Sequence, residues 1–82
     1  MKVKTPKDKL LKYVIYHNLT KKLAKQIQLF EVNPNHPSLN TEKLAPKELG
    51  LYSFRIDRKY RAIFHILSTG EVEIVDINDH YQ

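Results

Sequence analysis

At 82 residues with a formal charge of +5, the chain is one small basic domain, able to bury only roughly 60% of its unfolded surface. It has no cysteine, which excludes disulfide staples and thiolate zinc sites and gives no reason to invoke an oxidising compartment. Excess Lys and Arg fits a polyanionic partner, with a merely solvated lysine surface as the plain alternative.

The first residues, Met1 to Lys7, are basic with no apolar run behind them, and nowhere does the chain approach the ~20 apolar residues of a membrane span. Neither a signal peptide nor a membrane segment is expected, and the protein reads as cytoplasmic. A short extended start over Met1 to Thr5 precedes a helical pattern in which Leu10, Leu11, Val14 and Ile15 share a face. A cleaner second pattern follows: Leu19, Leu23, Ile27 and Phe30 recur every three or four residues, with Lys21, Lys22, Lys25 and Gln28 outward. His17-Asn18 or Thr20 marks a bend between two helices, unless the two runs form one long bent helix. The prolines of Asn33-Pro34-Asn35-His36-Pro37-Ser38 make a loop, and Ala45-Pro46-Lys47-Glu48-Leu49-Gly50 is a second break.

Three strands are expected after it. Tyr52, Phe54 and Ile56 alternate with Ser53, Arg55 and Asp57; Ala62, Phe64 and Ile66 alternate with Arg61, Ile63 and His65; the third runs from Val72 to Asn78. Helices followed by an antiparallel meander give an α+β domain, an N-terminal helical hairpin covering one face of the sheet. A two-residue Thr69-Gly70 hairpin loop would set Phe64 opposite Val75, Ala62 opposite Ile77, Ile63 opposite Asp76 and Arg61 opposite Asn78. In the preceding hairpin, an odd-length loop keeps Phe54 and Ile56 with Ala62 and Phe64, and puts Arg55 beside Arg61; a two-residue Arg58-Lys59 loop would not. One sheet face then carries Arg55, Arg61, Asp76 and His80, together with Ile63, Val72 and Ile74. All three arginines, Arg55, Arg58 and Arg61, fall within this short stretch, and their permanently charged planar forks suit phosphate.

The segments Asn33-Pro34-Asn35-His36-Pro37-Ser38-Leu39, Leu51-Tyr52-Ser53-Phe54-Arg55-Ile56-Asp57, Tyr60-Arg61-Ala62-Ile63-Phe64 and the C-terminal His80-Tyr81 resemble, in order and spacing, the RelE/ParE superfamily of toxin–antitoxin toxins. The likeness is greatest to its RelE- and YoeB-like ribonucleases and covers the chain from Pro34 onward; the helices match only in pattern. It implies the RelE-like microbial RNase fold over a single domain, residues 1–82. It further implies a ribosome-dependent mRNA interferase silenced by a cognate antitoxin, in which the ribose 2′-hydroxyl attacks the adjacent phosphate without a metal or cofactor. Such chemistry needs a base for the 2′-proton, cations on the phosphorane and an acid for the leaving 5′-oxygen.

His80 is the candidate acid, because an unperturbed histidine pKa of about 6.5 suits proton transfer near neutrality; the plain alternative is a frayed surface residue. Arg61 and then Arg55 are the candidates for phosphate charge, against the alternative of ion pairs with Asp57 or Asp76. Glu42 resembles the carboxylate base of YoeB-like members through Glu42-Lys43-Leu44, with Lys43 a substitute contributor if the site works by electrostatics alone. Tyr81 is placed for stacking on a base or orienting His80, or for closing over the core. Arg58 and the helix lysines Lys21, Lys22 and Lys25 suit ribosomal RNA or simple solvation. His65 lies four residues along the strand from Arg61 and reads as structural, His36 as positioning its loop, and His17 as uninvolved. Two rivals share the sequence: a ParE-like inhibitor of DNA gyrase, which needs no acid–base histidine, and a non-catalytic basic domain that binds RNA or a protein.

Overall fold

The computed structural model describes residues 1–80. Helices α1 (Asp8–Tyr16) and α2 (Thr20–Val32) lead into the strands β1 (Glu42–Lys43), β2 (Tyr52–Arg55), β3 (Arg61–Ile66) and β4 (Val72–Asn78). The strands form one antiparallel sheet in the order β1-β2-β3-β4. The fold is thus the expected α+β hairpin-on-sheet, with an additional short strand at Glu42–Lys43 that alternation over two residues could not announce. The extended start is also present: Val3 bridges Val72 in parallel, through Lys4 N–H to the Val72 carbonyl and Val72 N–H to the Lys2 carbonyl, each at 2.8 Å.

Two separate helices form because the chain turns at Asn18. Its φ of 57° is left-handed, and the N–H groups of Asn18 and Leu19 bond back to the carbonyls of Ile15 and Val14. That pair of bonds is a Schellman ending, and Asn tolerates the conformation better than other non-glycine residues. The bend comes from backbone geometry, since Leu19, not a polar residue, precedes α2 and no side chain caps it.

Phe30 of α2 is the keystone between the layers, its ring 5.4 Å from Phe54 and 5.1 Å from Phe64. Leu19, Leu23, Leu39, Ala62, Val72, Ile74 and Ile77 complete the buried core. On α1 the inward residues are Leu10, Tyr13 and Val14; Ile15, expected on that face, is 69% exposed. Helical spacing marks a stripe, but the crossing of α1 over β4 decides which side of the stripe is covered.

The β2–β3 hairpin has the odd loop. Ile56 N–H bonds the Tyr60 carbonyl, leaving Asp57, Arg58 and Lys59 between them, so that Phe54 faces Ala62 and Arg55 faces Arg61. The β3–β4 hairpin corrects the sequence reading in part. Arg61–Asn78, Ala62–Ile77 and Ile63–Asp76 pair as expected, but beyond Ile63 the register shifts, and Phe64 pairs with Ile74, His65 with Glu73 and Ile66 with Val72. Leu67 N–H bonds the Glu71 carbonyl, so the loop is Ser68-Thr69-Gly70, one residue longer than expected, with Gly70 at φ +89°. A bulge at Val75 absorbs the extra residue. Consequently Val72 and Ile74 turn into the core, and Val75, expected there, is outside and 43% exposed.

Candidate functional site

On the sheet face turned away from the helices, Arg61 is the central residue, and at 4% exposure it is a buried cation. Its Nε donates to the Ser53 hydroxyl at 3.0 Å, and its Nη2 donates to the Asn40 carbonyl and, at 3.4 Å, to the Ser53 carbonyl. All of these acceptors are neutral. Among the described residues no carboxylate lies within ion-pair distance of Arg61 or Arg55. Asp57 is spent on Lys22, at 3.0 Å, and on the N–H groups of Lys59 and Tyr60. Asp76 accepts from Ile77 N–H and from the Asn78 amide. The ion pairs offered as the plain alternative for the arginines therefore do not form with these two carboxylates.

Electrostatically the guanidinium is under-compensated. Burial pushes the Arg61 pKa below its ordinary value; Glu42 opposes that, and the like charge of Arg55 adds to it. A site in this condition gains when an anion arrives, because the anion supplies the countercharge that the protein withholds.

The proline-rich loop earns its place here. Asn33 accepts from Asn35 N–H, His36 Nδ1 accepts from Ser38 N–H, and the Thr41 hydroxyl donates to the Pro34 carbonyl. These local bonds carry the chain to Asn40, left-handed at φ 45°, whose carbonyl receives Arg61 and whose amide lies 3.4 Å from Glu42 Oε1. Glu42 then enters β1 opposite Ser53, on the arginine side of the sheet. Lys43 has the other parity: it pairs with Tyr52, and its ammonium lies 5.5 Å from that ring, facing away from Arg61.

The remaining sequence candidates divide by place. Arg55 pairs directly with Arg61 and is exposed. His80 follows β4 just beyond Asn78, the partner of Arg61; its side chain is 82% exposed, with Nδ1 4.0 Å from Asp79 Oδ1 and its N–H on the Asn78 side-chain carbonyl. Tyr81 lies outside the described residues. Arg58 is exposed on the turn. Lys21, Lys22 and Lys25 are exposed on α2, in the helix layer across the sheet from Arg61, and Lys22 is engaged by Asp57. His65 pairs across the strands with Glu73 at 2.7 Å. The structure thus brings Arg61, Arg55 and Glu42 together on one face, with His80 at the end of the neighbouring strand, and leaves Lys43 and the α2 lysines elsewhere.

Three contributors escaped the sequence reading. Ser53 is fully buried and orients Arg61; alternation put it on that face but gave no hint of its hydroxyl's partner. Asn40 is invisible as a ligand because it acts through its carbonyl. Gln26, 7% exposed, donates to the carbonyls of Arg55 at 2.8 Å and Ser38 at 3.3 Å, tying α2, the loop and the end of β2 together. A glutamine within the apolar stripe of α2 was the available signal, since buried polar groups require partners.

Comparison with known proteins agrees with this architecture. The family model for the ParE toxin of the type II toxin–antitoxin system parDE matches residues 7–82. No curated protein matches the chain in sequence. Among solved structures, a YoeB/ParE toxin from Agrobacterium tumefaciens superposes with a TM-score of 0.72 at 19% identity, covering 99% of this chain and 100% of its own. A YoeB dimer from Staphylococcus aureus gives 0.70 at 20% identity, covering 98% and 94%. A heterotetrameric YoeB–YefM toxin–antitoxin complex from Staphylococcus aureus gives 0.67, again at 20% identity with coverage of 98% and 94%. With the family model matched over nearly its whole length and the YoeB fold reproduced, the chain belongs to the ParE family of type II toxin–antitoxin toxins.

Proposed function

We propose that this toxin is a ribosome-dependent mRNA endoribonuclease that uses 2′-hydroxyl attack on the adjacent phosphate. The observation that carries the reading is Arg61: a buried guanidinium held in one orientation by neutral acceptors, with the countercharge left to a ligand. Held on a strand interior, its orientation is fixed in advance, which is where such donors contribute most, and at 4% exposure it meets the phosphorane once the Asn40 loop gives way. Arg55 adds a second cation on the same face, and Glu42 is the carboxylate available as base for the 2′-proton. His80, exposed beside Asp79, is the acid for the 5′-oxygen. Tyr81 is proposed to stack on a base next to the scissile bond. Arg58 and the lysines Lys21, Lys22 and Lys25 supply long-range attraction toward ribosomal RNA. By likeness to the YoeB–YefM complex, the natural partner is a cognate antitoxin.

The test is primer extension on a reporter mRNA in a purified translation system, comparing wild type with His80→Ala and Arg61→Leu. Codon-phased cuts from wild type, reduced about 100-fold or more in each variant, are expected. Equal cutting by His80→Ala removes that residue as the acid. The family assignment itself favours a second reading, inhibition of DNA gyrase as the parDE designation suggests. Absence of mRNA cutting together with loss of supercoiling in a gyrase assay would establish that reading instead.

A further inference from the structure

Around the end of the sheet from Arg61 lies a cluster of rings that the chemistry above does not use. Tyr13 of α1 and His17, the residue just after that helix, have centroids 4.1 Å apart, and Tyr60 of the β2–β3 hairpin closes on them at 6.2 Å and 5.4 Å. The Tyr60 hydroxyl and His17 Nδ1 are hydrogen-bonded at 3.1 Å. Tyr13 and Tyr60 are anchored against the core, so the inner half of the cluster is fixed. Tyr16 meets His17 edge-on at 5.0 Å but is 84% exposed, the most exposed aromatic ring described. With one edge on His17 and its face open to solvent, Tyr16 offers an aromatic surface on which another ring can stack.

The charges around the rings indicate what. Lys59 holds its ammonium 5.4 Å from the Tyr60 ring, Lys12 is exposed one helical turn before Tyr16, and Arg58 is exposed on the same hairpin turn as Lys59. The acidic neighbours are Asp79 and Asp76, which face Tyr13 on the inner, β4 side, and Asp57, which Lys22 engages. The outer rim is therefore cationic. Tyr60 also immediately precedes Arg61, the first residue of β3, so the rings and the arginine face adjoin at one end of the sheet.

We propose that Tyr16, backed by His17, Tyr13 and Tyr60, is a stacking site for an unpaired base of single-stranded RNA, with Lys59 and Lys12 on the flanking phosphates. The inference rests on the proposed action on RNA and extends it by naming where the strand runs beside the arginine face. An open π-face is tolerant of base identity, whereas a cationic rim tracks the backbone, and the two together are how unpaired strands are held.

The test is fluorescence anisotropy with a short labelled 2′-O-methyl oligoadenylate, which has no 2′-hydroxyl to react, and with an abasic strand of the same length. Tyr16→Ala is expected to weaken the oligoadenylate about tenfold, with the abasic strand unaffected and Tyr16→Trp close to wild type. Because Tyr16 carries no charge, its loss should leave the salt dependence unchanged, whereas Lys59→Gln should reduce the slope by about 0.7. Since Tyr16 is almost wholly in solvent, the variant is expected to fold, which its thermal melt would verify. Unchanged oligoadenylate affinity in Tyr16→Ala, or equal affinity of wild type for the abasic strand, overturns the proposal and turns the patch over to a protein partner. The cleavage assay stands apart: phased cutting by wild type with no effect of Tyr16→Ala on binding rejects the stacking site alone, and base-dependent binding without cutting rejects the nuclease alone.

Discussion

β3 buries side chains on both of its faces, and the two faces do opposite things with that burial. Toward the helices, Ala62 and Phe64 enter a core of Phe30, Phe54, Ile74 and Ile77, where apolar area leaves water and the Phe64 ring packs edge to face with Phe30 and tilted against Phe54. Away from the helices, Arg61 is nearly as inaccessible as Phe64, at 4% against 2%, yet it brings a charge with no carboxylate at ion-pair distance among the described residues, only Glu42 farther off. Removing such a charge from water costs several kcal/mol that neutral acceptors recover only in part. Equal burial thus accompanies apolar packing on one face and an under-compensated charge on the other, and depth alone does not tell them apart.

Substitutions separate the two. Phe64→Ala should be the most damaging to the fold, losing about 3–5 kcal/mol, comparable with the whole stability of a domain this small, and a urea melt would read it directly. Arg61→Leu should reverse the pattern: cleavage falls about 100- to 1000-fold while stability falls less than in Phe64→Ala, because relief of the buried charge offsets part of the cost of the acceptors left on Ser53 and Asn40. A marked loss of stability in Arg61→Leu would break the comparison and make Arg61 a structural residue. Between these lies Gln26→Ala, which leaves the Arg55 and Ser38 carbonyls without their donor and should cost about 1–3 kcal/mol. Denaturation measured beside single-turnover cleavage would show whether that loss is carried into the site through Arg55.

The smallest effect concerns pH at the β2–β3 turn. For Asp57, burial is the largest single influence and raises the carboxyl pKa, but hydrogen bonds from Tyr60, Lys22 and Lys59, with the Lys22 charge, outweigh it and lower the value. A carboxyl lowered on folding stabilises fully above its unfolded pKa, about 4, and the contribution fades as pH falls through the folded value. Urea midpoints followed downward from neutrality should therefore decline below about pH 4, and Asp57→Asn should flatten that decline. An unaltered profile in the variant would mean that other carboxylates, such as Glu73 beside His65, govern acid stability.

Much of the sheet was legible because strand parity is rigid: once Phe54 and Ala62 belong inside, Arg55 and Arg61 must share the other side. The pairing of Arg61 with Asn78 was also legible, though for a compensated reason, since the longer Ser68–Gly70 loop and the Val75 bulge cancel from Ile63 back to Arg61. Between loop and bulge they do not cancel, and there the sequence reading turned Val72 and Ile74 the wrong way. Glu42 was named from family likeness alone, and its position in a strand beside Ser53 was not legible, because two residues carry no period. Of the candidate residues, Arg61, Arg55 and Glu42 converge on one face, while Lys43 shares its segment with Glu42 and faces the other way.

By itself, then, the sequence determined two helical stripes, the meander and the basic character, and set the arginines on one face given an odd hairpin loop, since these follow from local periodicity and fixed charges. Only the tertiary structure decided that Arg61 is buried among the neutral groups of Ser53 and Asn40, that Gln26 ties the layers beneath Arg55, and that Tyr16 stands open beside a fixed set of rings. Those features depend on which carbonyl or ring lies across from a side chain after distant segments meet, and no periodicity within one segment encodes that.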